Sequence, residues 1–565
     1  MKIKSQINTV INQALLEMGI VDYDAVISEA TRIEFGDFQF NGAMSLAKKI
    51  GKKPQEIASQ IVELISQNSI IAKAQIAGPG FVNIWLNDEF VSNNLEIMTK
   101  SINLDIAISC TPQTIVVDYS GPNMAKEMHV GHLRSTIIGD TLANLFELMG
   151  DIVIRQNHIG DWGTGFGMLI AYLEDKGDES HDELKDLENF YKLAKAKFDS
   201  DALFADKARE YVVKIQSGDE HCLALWDKFI GTSLSHCEEV YEKLGVKLTK
   251  EDVRAESAYN DDLPVVIEEL TSKNLITISD GAKCIFMPDV ETPIIVQKRD
   301  GGYLYATTDL AALRYRTKSL DSTRMCYVVD ARQGEHFKQM FWASKEAGFV
   351  QSDTKLEHIA FGTMMDASGK PFKTRDGGTV KLSALLDEAI ERAKETIKAK
   401  DGYDPATLEH LARVIGIGAV KYADLSVSRE SNYIFSWDKM LSFDGNTALY
   451  IQYAYARIQS IISRFGDEIS GDIIIASPIE HRLGVTLLGF DDTLTRANLD
   501  AMPHYITSYL YDLTTLFMQF YELSPILKDD VDVATKMSRL QLANLTAKVI
   551  KQGLAILGIE VVNKI

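Results

Sequence analysis

The chain has 565 residues, of which 46% are hydrophobic and 25% charged, and it carries a net charge of −21. Because a single hydrophobic core rarely grows beyond about 250–300 residues, this length predicts several domains, and the ordinary composition excludes a disordered or fibrous chain. The acidic balance argues against non-specific binding of nucleic acid, although a local basic surface could still bind it.

The N-terminus and the cysteines both favour a cytoplasmic protein. Apolar residues at helical spacing near the N-terminus predict an amphipathic helix rather than a signal peptide, and the apolar runs are too short to span a bilayer. The five cysteines show neither C-x-x-C pairs nor the spacing of zinc ligands, which predicts reduced thiols and no protein metal site. We therefore expect a cytoplasmic location and no membrane partner.

Residues 1–105 form the first predicted domain, a small α+β unit. Helical spacing recurs at 5–18 and 54–66, a strand is predicted at 80–86, and a connecting helix is predicted at 87–102. The unit also carries a basic run formed by Lys48, Lys49, Lys52 and Lys53. A solvated helix end is the simplest explanation of that run when it is considered alone.

Residues 106–400 are predicted to form a nucleotide-binding α/β domain. A β-rich run at 114–119 is followed by a turn at 120–123 and by a long helical pattern. Strand, loop and long helix in this order open a doubly wound nucleotide-binding unit. Residues at about 180–275 are charged and helical, which predicts an insertion. Strand-like segments return after it, at 284–287, 294–298, 326–330 and 357–361.

Residues 401–565 form the third predicted domain. Their pattern is almost wholly helical and contains few glycines, which predicts a C-terminal helical bundle. Tyr450 and Tyr453 lie three positions apart within it. A tyrosine pair at helical spacing is more often part of a core than of a binding surface.

The start of the long helix carries the most informative motif, His129-Val130-Gly131-His132. Two histidines three positions apart share one face of a first helical turn. Backbone N–H groups at a helix N-terminus attract phosphate, and a glycine leaves room for a flat base to approach the backbone. The motif predicts a nucleoside triphosphate site, and two surface histidines are the alternative.

A second part of such a site is predicted at residues 362–381, where four glycines surround clustered cations. A basic loop of this kind can close over a triphosphate and stabilise charge on the leaving pyrophosphate. A solvated hairpin is the alternative interpretation. The candidate contacts in this segment are Gly362, Met364, Lys370, Lys373 and Thr374.

Several segments together resemble the class I arginyl-tRNA synthetases. They are 77–83, 118–139, Gly160-Asp161-Trp162-Gly163, 369–381 and 450–457. The similarity extends over nearly the whole chain and keeps the domain order of the family. It implies an α/β protein with a class I Rossmann-like catalytic domain and helical insertion, an N-terminal α+β domain, and a C-terminal all-helical anticodon-binding bundle.

The resemblance implies a two-step ligation of L-arginine to the 3′ end of its cognate tRNA. ATP first converts arginine to arginyl-adenylate with release of pyrophosphate, and the arginine then passes to tRNA with release of AMP. Such chemistry needs positioning and electrostatics rather than a protein nucleophile. The implied ligands are ATP with Mg²⁺ bridging its phosphates, L-arginine and tRNA, and we expect a monomer.

Matching positions give the expected roles at the nucleotide. His129 and His132 correspond to the family's ATP-phosphate histidines, and Gly131 corresponds to its adenine-facing glycine. The basic segment departs from the general class I pattern K-M-S-K-S, because Thr374 stands at the second lysine position. In many arginyl enzymes a lysine just before the histidine motif takes the place of that second lysine. The cation that reaches the triphosphate is therefore open among Lys126, Lys370 and Lys373.

An arginine pocket needs a carboxylate fork beside an aromatic face, because a guanidinium is planar and permanently charged. Tyr305 and Asp309 are four positions apart and match the family's side-chain-binding tyrosine and aspartate. Without the family match, a core tyrosine and a helix-capping aspartate would be preferred. Asp118, Asn123 and Gln333 match other substrate-binding positions.

The resemblance indicates two candidate surfaces for tRNA binding. Tyr450 and Tyr453 could stack on unpaired anticodon bases. The N-terminal domain resembles the family's tRNA-contacting extra domain, which makes Lys48, Lys49 and Lys52 candidates as well.

Two other classes of protein fit the sequence less well than an active arginyl enzyme does. A cysteinyl-type class I ligase would be expected to carry zinc ligands, and a non-catalytic RNA-binding paralogue would be expected to lose the histidine motif or the pocket carboxylate.

A decoy signature, Lys536-Met537-Ser538-Arg539, matches K-M-S-K-S better than the basic segment does. It begins a leucine-patterned helix without flanking glycines, which predicts an exposed helix turn.

Overall fold

The computed structural model of the chain describes residues 3–177, 187–372, 380–398 and 402–565. The chain forms two compact units. The first contains Met1–Ile108, Ser442–Ala555 and Glu560–Ile565, and the second contains Ser109–Leu441 and Ile556–Ile559. Among the described helices, none combines the length and the apolar character that crossing a bilayer requires.

The N-terminal part of the first unit is a four-stranded antiparallel sheet with helices packed on it. The strands lie in the order β1-β2-β4-β3, and Phe38, Phe40 and Val82 are buried in its core. Helix α3 begins at Pro54, whose fixed φ and missing N–H suit a first helical turn. The elements are α1 (Ile3–Glu17), β1 (Ile27–Glu29), β2 (Phe38–Phe40), α2 (Ala43–Ile50), α3 (Pro54–Ile65), β3 (Ile71–Ala77), β4 (Phe81–Leu86) and α4 (Asp88–Lys100).

The core of the second unit is a parallel sheet of four strands. Their order is β11 (Lys355–His358), β10 (Arg324–Tyr327), β5 (Thr114–Asp118) and β6 (Ile152–Gln156). Ile115, Val116 and Val117 of the interior strand β5 are fully buried, as expected for a parallel strand covered on both faces. The elements up to the insertion are β5 (Thr114–Asp118), α5 (Val130–Leu148), β6 (Ile152–Gln156), α6 (Thr164–Lys176), α7 (Leu187–Ser200), α8 (Ala202–Gln216), α9 (Glu220–Leu244) and α10 (Leu263–Ser272).

The strands that follow the insertion do not all join the parallel sheet. The second half of the unit contains β7 (Thr277–Ser279), β8 (Ala282–Ile285), β9 (Ile294–Gln297), α11 (Tyr305–Lys318), β10 (Arg324–Tyr327), α12 (Gly334–Glu346), β11 (Lys355–His358), β12 (Met364–Met365), α13 (Leu382–Lys398), α14 (Pro405–Leu425), β13 (Tyr433–Ile434) and α15 (Trp437–Met440). The segments predicted at 284–287 and 294–298 lie in a separate antiparallel sheet, β7-β8-β9. The missed signal is the pair Asp280-Gly281, whose positive φ angles of 50° and 82° make the tight turn between β7 and β8.

The C-terminal part of the first unit is helical. Helix α19 packs on α16, α17 and α18. His481 on α17 hydrogen-bonds Asp37 at 3.1 Å and Asp88 at 2.5 Å, which ties these helices to the N-terminal sheet. The helices are α16 (Ala448–Phe465), α17 (Pro478–Leu488), α18 (Phe490–Asp500), α19 (His504–Leu523) and α20 (Val533–Ile556).

Helix α14 is the element on which the predicted domains and the compact units differ. The sequence pattern assigns it to the helical domain 401–565, yet it packs on α13 and α5 of the second unit. Asp424, near its C-terminal end, is fully buried against Arg134 of α5. Helical periodicity cannot reveal which neighbour a helix packs on, so the three-domain division stays a prediction.

Arg134 is a buried cation that holds several stretches of the second unit together. Its Nε lies 3.0 Å from Oδ2 of Asp424, and the side chains are 2% and 0% exposed. Its Nη1 donates to the carbonyl oxygens of Gly362, at 2.7 Å, and Ser431, at 3.0 Å. Burial raises the pKa of Asp424, and the charge of Arg134 acts in the opposite direction.

Replacing Asp424 with Asn would leave the Arg134 guanidinium buried without its anion. We expect the free energy of unfolding of the second unit to fall by about 3–5 kcal/mol, because a buried charge then lacks its partner. Urea denaturation followed by intrinsic fluorescence measures this change. Glu409→Gln, which removes an exposed ion pair with Lys394, is the matched control and should leave the midpoint unchanged. Equal midpoints for the two variants would contradict the role given to Asp424.

Candidate active site

The histidine motif forms the first turn of α5 and caps it. His129 is the N-cap residue, and its Nδ1 accepts the N–H of Gly131 at 3.0 Å. Nδ1 of His132 accepts the N–H of His129 at 3.1 Å, and the two ring centroids are 4.1 Å apart. Because each Nδ1 accepts a backbone hydrogen, the neutral form of each ring carries its proton on Nε2.

His132 is neutral at physiological pH. Its burial, together with the nearby His129, lowers its pKa to about 4. The turn therefore offers ring Nε2–H donors and the positive end of a helix dipole to a phosphate, rather than an imidazolium charge at His132. Gly131 is required by this geometry, because a Cβ there would stand 2.7 Å from Cε1 of His129.

The end of the glycine-rich segment is attached to the same turn. Val130 N–H donates to the Val380 carbonyl at 3.0 Å, and Leu382 N–H donates to the Met128 carbonyl at 3.0 Å. Lys381 Nζ is 3.0 Å from a carboxylate oxygen of Glu127. The structure thus brings the two predicted parts of the nucleotide site together.

Two of the three candidate cations fall within the described residues. Lys126 is exposed, and its Nζ lies 4.8 Å from the ring centroid of Tyr191. Lys370 is exposed at a turn in which Oδ1 of Asp366 accepts the Lys370 N–H at 3.0 Å. Lys373 and Thr374 lie outside the described residues, so their predicted roles stay predictions.

Gly362 and Met364 are held by internal packing. Met364 is 5% exposed, and its Sδ accepts a hydrogen bond from the Tyr433 hydroxyl at 3.1 Å. A Cβ at Gly362 would stand 2.6 Å from the carbonyl group of Ser431. The sequence predicted one continuous loop from residue 362, but β12 occupies its start and pairs with β13. Met364 therefore presents no side chain to a nucleotide.

Tyr305 and Asp309 lie one turn apart at the start of α11, with His336 beside both. Oδ2 of Asp309 is 2.7 Å from Nε2 of His336, whose ring centroid is 5.3 Å from that of Tyr305. Tyr305 is 65% exposed, which is not the environment of a core residue. Asp309 bonds a side chain of another helix rather than capping its own.

Glu256 is a third carboxylate that the sequence did not reveal. Burial, followed by the charges of Asp161 and Asp309, raises the pKa of Glu256 to about 7. Asp161, from the motif at 160–163, is anchored by the Ser257 N–H at 3.0 Å and the Ser257 hydroxyl at 2.5 Å. A half-buried group of carboxylates with this pKa shift would be stabilised by a cationic ligand.

The other predicted substrate contacts are less uniform. Asp118 is paired internally, because its Oδ2 accepts from Nη2 of the fully buried Arg316 at 2.7 Å. Asn123 is exposed after β5, and its Oδ1 accepts the Ala125 N–H at 3.0 Å. Gln333 is exposed at the start of α12. Asp118 therefore pairs with Arg316, and its predicted contact with the substrate stays a prediction.

The predicted tRNA-binding residues lie in the first unit. Tyr450 is half-buried with its ring centroid 5.9 Å from that of Tyr511, and the half-buried Tyr453 accepts from Nη2 of Arg457 at 2.9 Å. The lysines are exposed at and after the end of α2; they are Lys48, Lys49 and Lys52. Lys49 Nζ donates to the Asp22 carbonyl at 2.7 Å.

The decoy signature is the first part of α20, in the same unit. Ser538 is buried, and its hydroxyl donates to the Ile474 carbonyl at 2.9 Å. Arg539 Nε is 2.8 Å from a carboxylate oxygen of Glu480. These contacts give Ser538 and Arg539 a structural role, so the expected exposed turn is in fact partly buried.

The described residues contain no group of three histidine, cysteine or acidic side chains that could hold a metal ion. Mg²⁺ prefers oxygen ligands, and the described candidates at the nucleotide, the two histidines and the two lysines, offer none. They do not fit a protein-held Mg²⁺ site.

Family models cover nearly the whole chain. "tRNA synthetases class I (R), catalytic domain" matches residues 96–437, "DALR anticodon binding domain" matches 451–565, and "Arginyl tRNA synthetase N terminal domain" matches 1–86. The parallel sheet, the histidine turn and the first match define a class I aminoacyl-tRNA synthetase.

Individual relatives are similar along their full length. Proteins named arginine–tRNA ligase from Laribacter hongkongensis and Alteromonas mediterranea are 51% and 50% identical, with 97% and 98% of each chain covered. The arginyl-tRNA synthetase structure from Plasmodium falciparum has a TM-score of 0.86 at 30% identity and covers 100% of this chain and 99% of its own. The Thermus thermophilus enzyme shares the fold, with a TM-score of 0.85 at 22% identity and full coverage of both chains. The chain belongs to the arginyl-tRNA synthetase family, which confirms the predicted family and fold class.

The pH dependence of arginine binding tests whether Glu256, with its raised pKa, contacts the arginine side chain. A bound guanidinium favours the ionised carboxylate, so binding below pH 7 requires loss of a proton. The KM for arginine should rise by up to about tenfold per unit as the pH falls below 7, and it should level off above 7. Arginine-dependent exchange of pyrophosphate into ATP from pH 5.5 to 8.5 measures this. Glu256→Gln should have a higher KM that no longer varies with pH; a variant with the wild-type slope would contradict the assignment.

Proposed function

We propose that the chain charges tRNA with arginine through the site described above. The overall reaction is the ATP-dependent ligation of L-arginine to the 3′ end of its cognate tRNA, with release of AMP and pyrophosphate. The first step joins a carboxylate oxygen of arginine to the α-phosphorus of ATP and breaks the bond to pyrophosphate. The second transfers the arginyl group to a hydroxyl of the terminal adenosine.

The first turn of α5 binds the triphosphate. His129 and His132 donate from Nε2, and the backbone N–H groups add the positive end of the helix dipole. Gly131 leaves the turn open to the adenine. One of the three candidate lysines, Lys126, Lys370 or Lys373, supplies the cation for the leaving pyrophosphate. Mg²⁺ enters as part of the ATP substrate complex, and no step depends on a protein-held metal.

The observation that carries substrate choice is the cluster of Asp309, Glu256 and Tyr305. Asp309 receives a fixed hydrogen bond, Glu256 lacks an internal cation among the described residues, and Tyr305 presents an exposed ring. A guanidinium supplies the missing charge and stacks on an aromatic face. Asn123 and Gln333, exposed beyond the carboxyl ends of β5 and β10, bind the rest of the amino acid.

Binding of tRNA is assigned to the first unit. The anticodon meets the helical part, where Tyr450 and Tyr453 offer partly exposed rings, and Lys48, Lys49 and Lys52 of the N-terminal part contact phosphates. A non-catalytic RNA-binding role is disfavoured because the histidine turn and the carboxylate cluster are both present. The monomeric state and cytoplasmic location remain predictions, of which sedimentation equilibrium tests the first.

Replacing Asp309 with Asn tests the arginine assignment. The change keeps the shape and removes the charge, which should weaken arginine binding by about 3–5 kcal/mol while the KM for ATP stays unchanged. Pyrophosphate–ATP exchange across the twenty amino acids, with and without tRNA, first establishes that arginine alone is activated. A normal KM and kcat for arginine in Asp309→Asn would show that the pocket lies elsewhere.

Lys126 and Lys536 form a matched pair for the nucleotide site. Lys126 lies three residues before the cap of α5, whereas Lys536 lies in the first turn of α20 in the other unit. Lys126→Ala should slow adenylate formation about a hundredfold, the effect of removing one group that stabilises transition-state charge. Lys536→Ala should leave the rate near normal. Single-turnover adenylate formation at saturating tRNA decides between them, and a loss confined to Lys536→Ala would reverse the assignment.

A further inference from the structure

His336 joins the arginine pocket from a distant part of the chain. It lies in the first turn of α12, 27 residues from Asp309, and its Nε2 is 2.7 Å from Oδ2 of that residue. Its ring centroid is 5.3 Å from the ring of Tyr305 and 5.5 Å from the ring of Phe337. The imidazole is therefore in contact with the residues proposed to hold the arginine side chain.

The direction of the hydrogen bond follows from the chemistry of the two groups. An ionised carboxylate only accepts, so Nε2 of His336 carries the hydrogen. Each carboxylate oxygen has two lone pairs, and Oδ2 of Asp309 can still accept from a guanidinium. Among the described residues, no hydrogen bond to Oδ1 of Asp309 is found. The contact with His336 therefore orients the carboxylate without using up its capacity to accept.

Orientation matters because a guanidinium fork and a carboxylate bind in one plane. The Asp309 side chain is 25% exposed and does not cap α11, so the torsion that sets its carboxylate plane has a broad intrinsic preference. The His336 ring packs between the rings of Tyr305 and Phe337, and its Nε2 is the hydrogen-bond partner of that carboxylate.

We infer that His336 is a positioning residue for arginine recognition, which holds the Asp309 carboxylate in the plane that a guanidinium requires. Tyr305 in turn packs against the imidazole. This inference rests on the proposed arginine pocket. His336 acts through Asp309, so its removal should affect arginine binding and leave ATP binding unchanged.

Two variants of His336 test this role by rescue. His336→Ala removes the donor, whereas His336→Gln places an amide N–H at about the reach of Nε2. Arginine-dependent pyrophosphate–ATP exchange at saturating tRNA should show a KM for arginine at least about tenfold higher in the alanine variant, the size expected for one hydrogen bond to a charged group. The KM for ATP should not change, kcat should change less than about threefold, and glutamine should restore most of the loss.

A double-mutant cycle with Asp309→Asn shows whether His336 acts through Asp309. In the Asp309→Asn background, His336→Ala should raise the KM for arginine by less than about twofold, because the partner of His336 has already lost its charge. Fully additive effects would overturn the inference, as would an unchanged KM in His336→Ala. A lower KM would also overturn it, since His336 would then compete with arginine for Asp309. If His336→Gln fails to rescue although its thermal unfolding matches the wild type, the hydrogen bond is not what matters.

The same experiments separate this inference from the proposed function. A normal KM for arginine in Asp309→Asn would contradict the proposed pocket itself, whatever the result for the His336 variants. A raised KM for arginine in Asp309→Asn, together with a normal KM in His336→Ala, would support the pocket and contradict only the positioning role of His336.

Discussion

The buried guanidinium of Arg134 is the constraint on which the nucleotide site depends. A cation that is 2% exposed must find acceptors inside the protein, and Arg134 finds them on three stretches of chain: at Asp424 of α14 and at the carbonyl groups of Gly362 and Ser431. Because Arg134 lies only five residues after the cap of α5, the histidine turn is fixed against the strand pair β12 and β13. The glycine-rich segment begins at that pair, and its other end is held at the same histidine turn by backbone hydrogen bonds of Val130 and Leu382.

The charges of the second unit favour one orientation of the substrates in the proposed site. At the phosphate end, His132 is neutral because burial and the nearby His129 lower its pKa to about 4, so the attraction comes from the helix N-terminus and from lysines. At the arginine end, Asp161, Glu256 and Asp309 concentrate negative charge, and the pKa of Glu256 is raised to about 7 by burial and by its two neighbours. A guanidinium is favoured at the second end and a triphosphate at the first. Neither end needs a side chain that forms a covalent bond with a substrate.

The sequence predicted those features that depend on local order. Strand, turn and capped helix are continuous in the chain, so the positions of β5 and α5 could be predicted from the sequence pattern. Features that depend on tertiary neighbours could not be deduced. Glu256 and His336 are far from Asp309 in the chain, so their proximity could not be predicted from local patterns. Met364 is buried in a pair of two-residue strands, which are too short to show an alternating pattern in the sequence. The segment at 284–287 lies in an antiparallel hairpin because Asp280 and Gly281 form a tight turn before it. This turn could have been predicted from the Asp-Gly pair, which the α/β interpretation of the region did not use.

Asp118 and Glu256 show what separates a structural carboxylate from a substrate-binding one. Both lie in the second unit and both are at least partly buried, so composition and burial do not distinguish them. Asp118 has an internal cation, Arg316, at 2.7 Å, and its charge is already balanced. Glu256 instead lies near two further carboxylates, and burial, followed by the charges of Asp161 and Asp309, raises its pKa to about 7. A site that binds a cation must keep some of its negative charge uncompensated when empty, which destabilises the free protein locally and makes binding of the correct cation favourable. On this criterion Glu256 and Asp309 are the carboxylates that favour the proposed arginine pocket, and the contact of Asp118 with Arg316 joins β5 to α11.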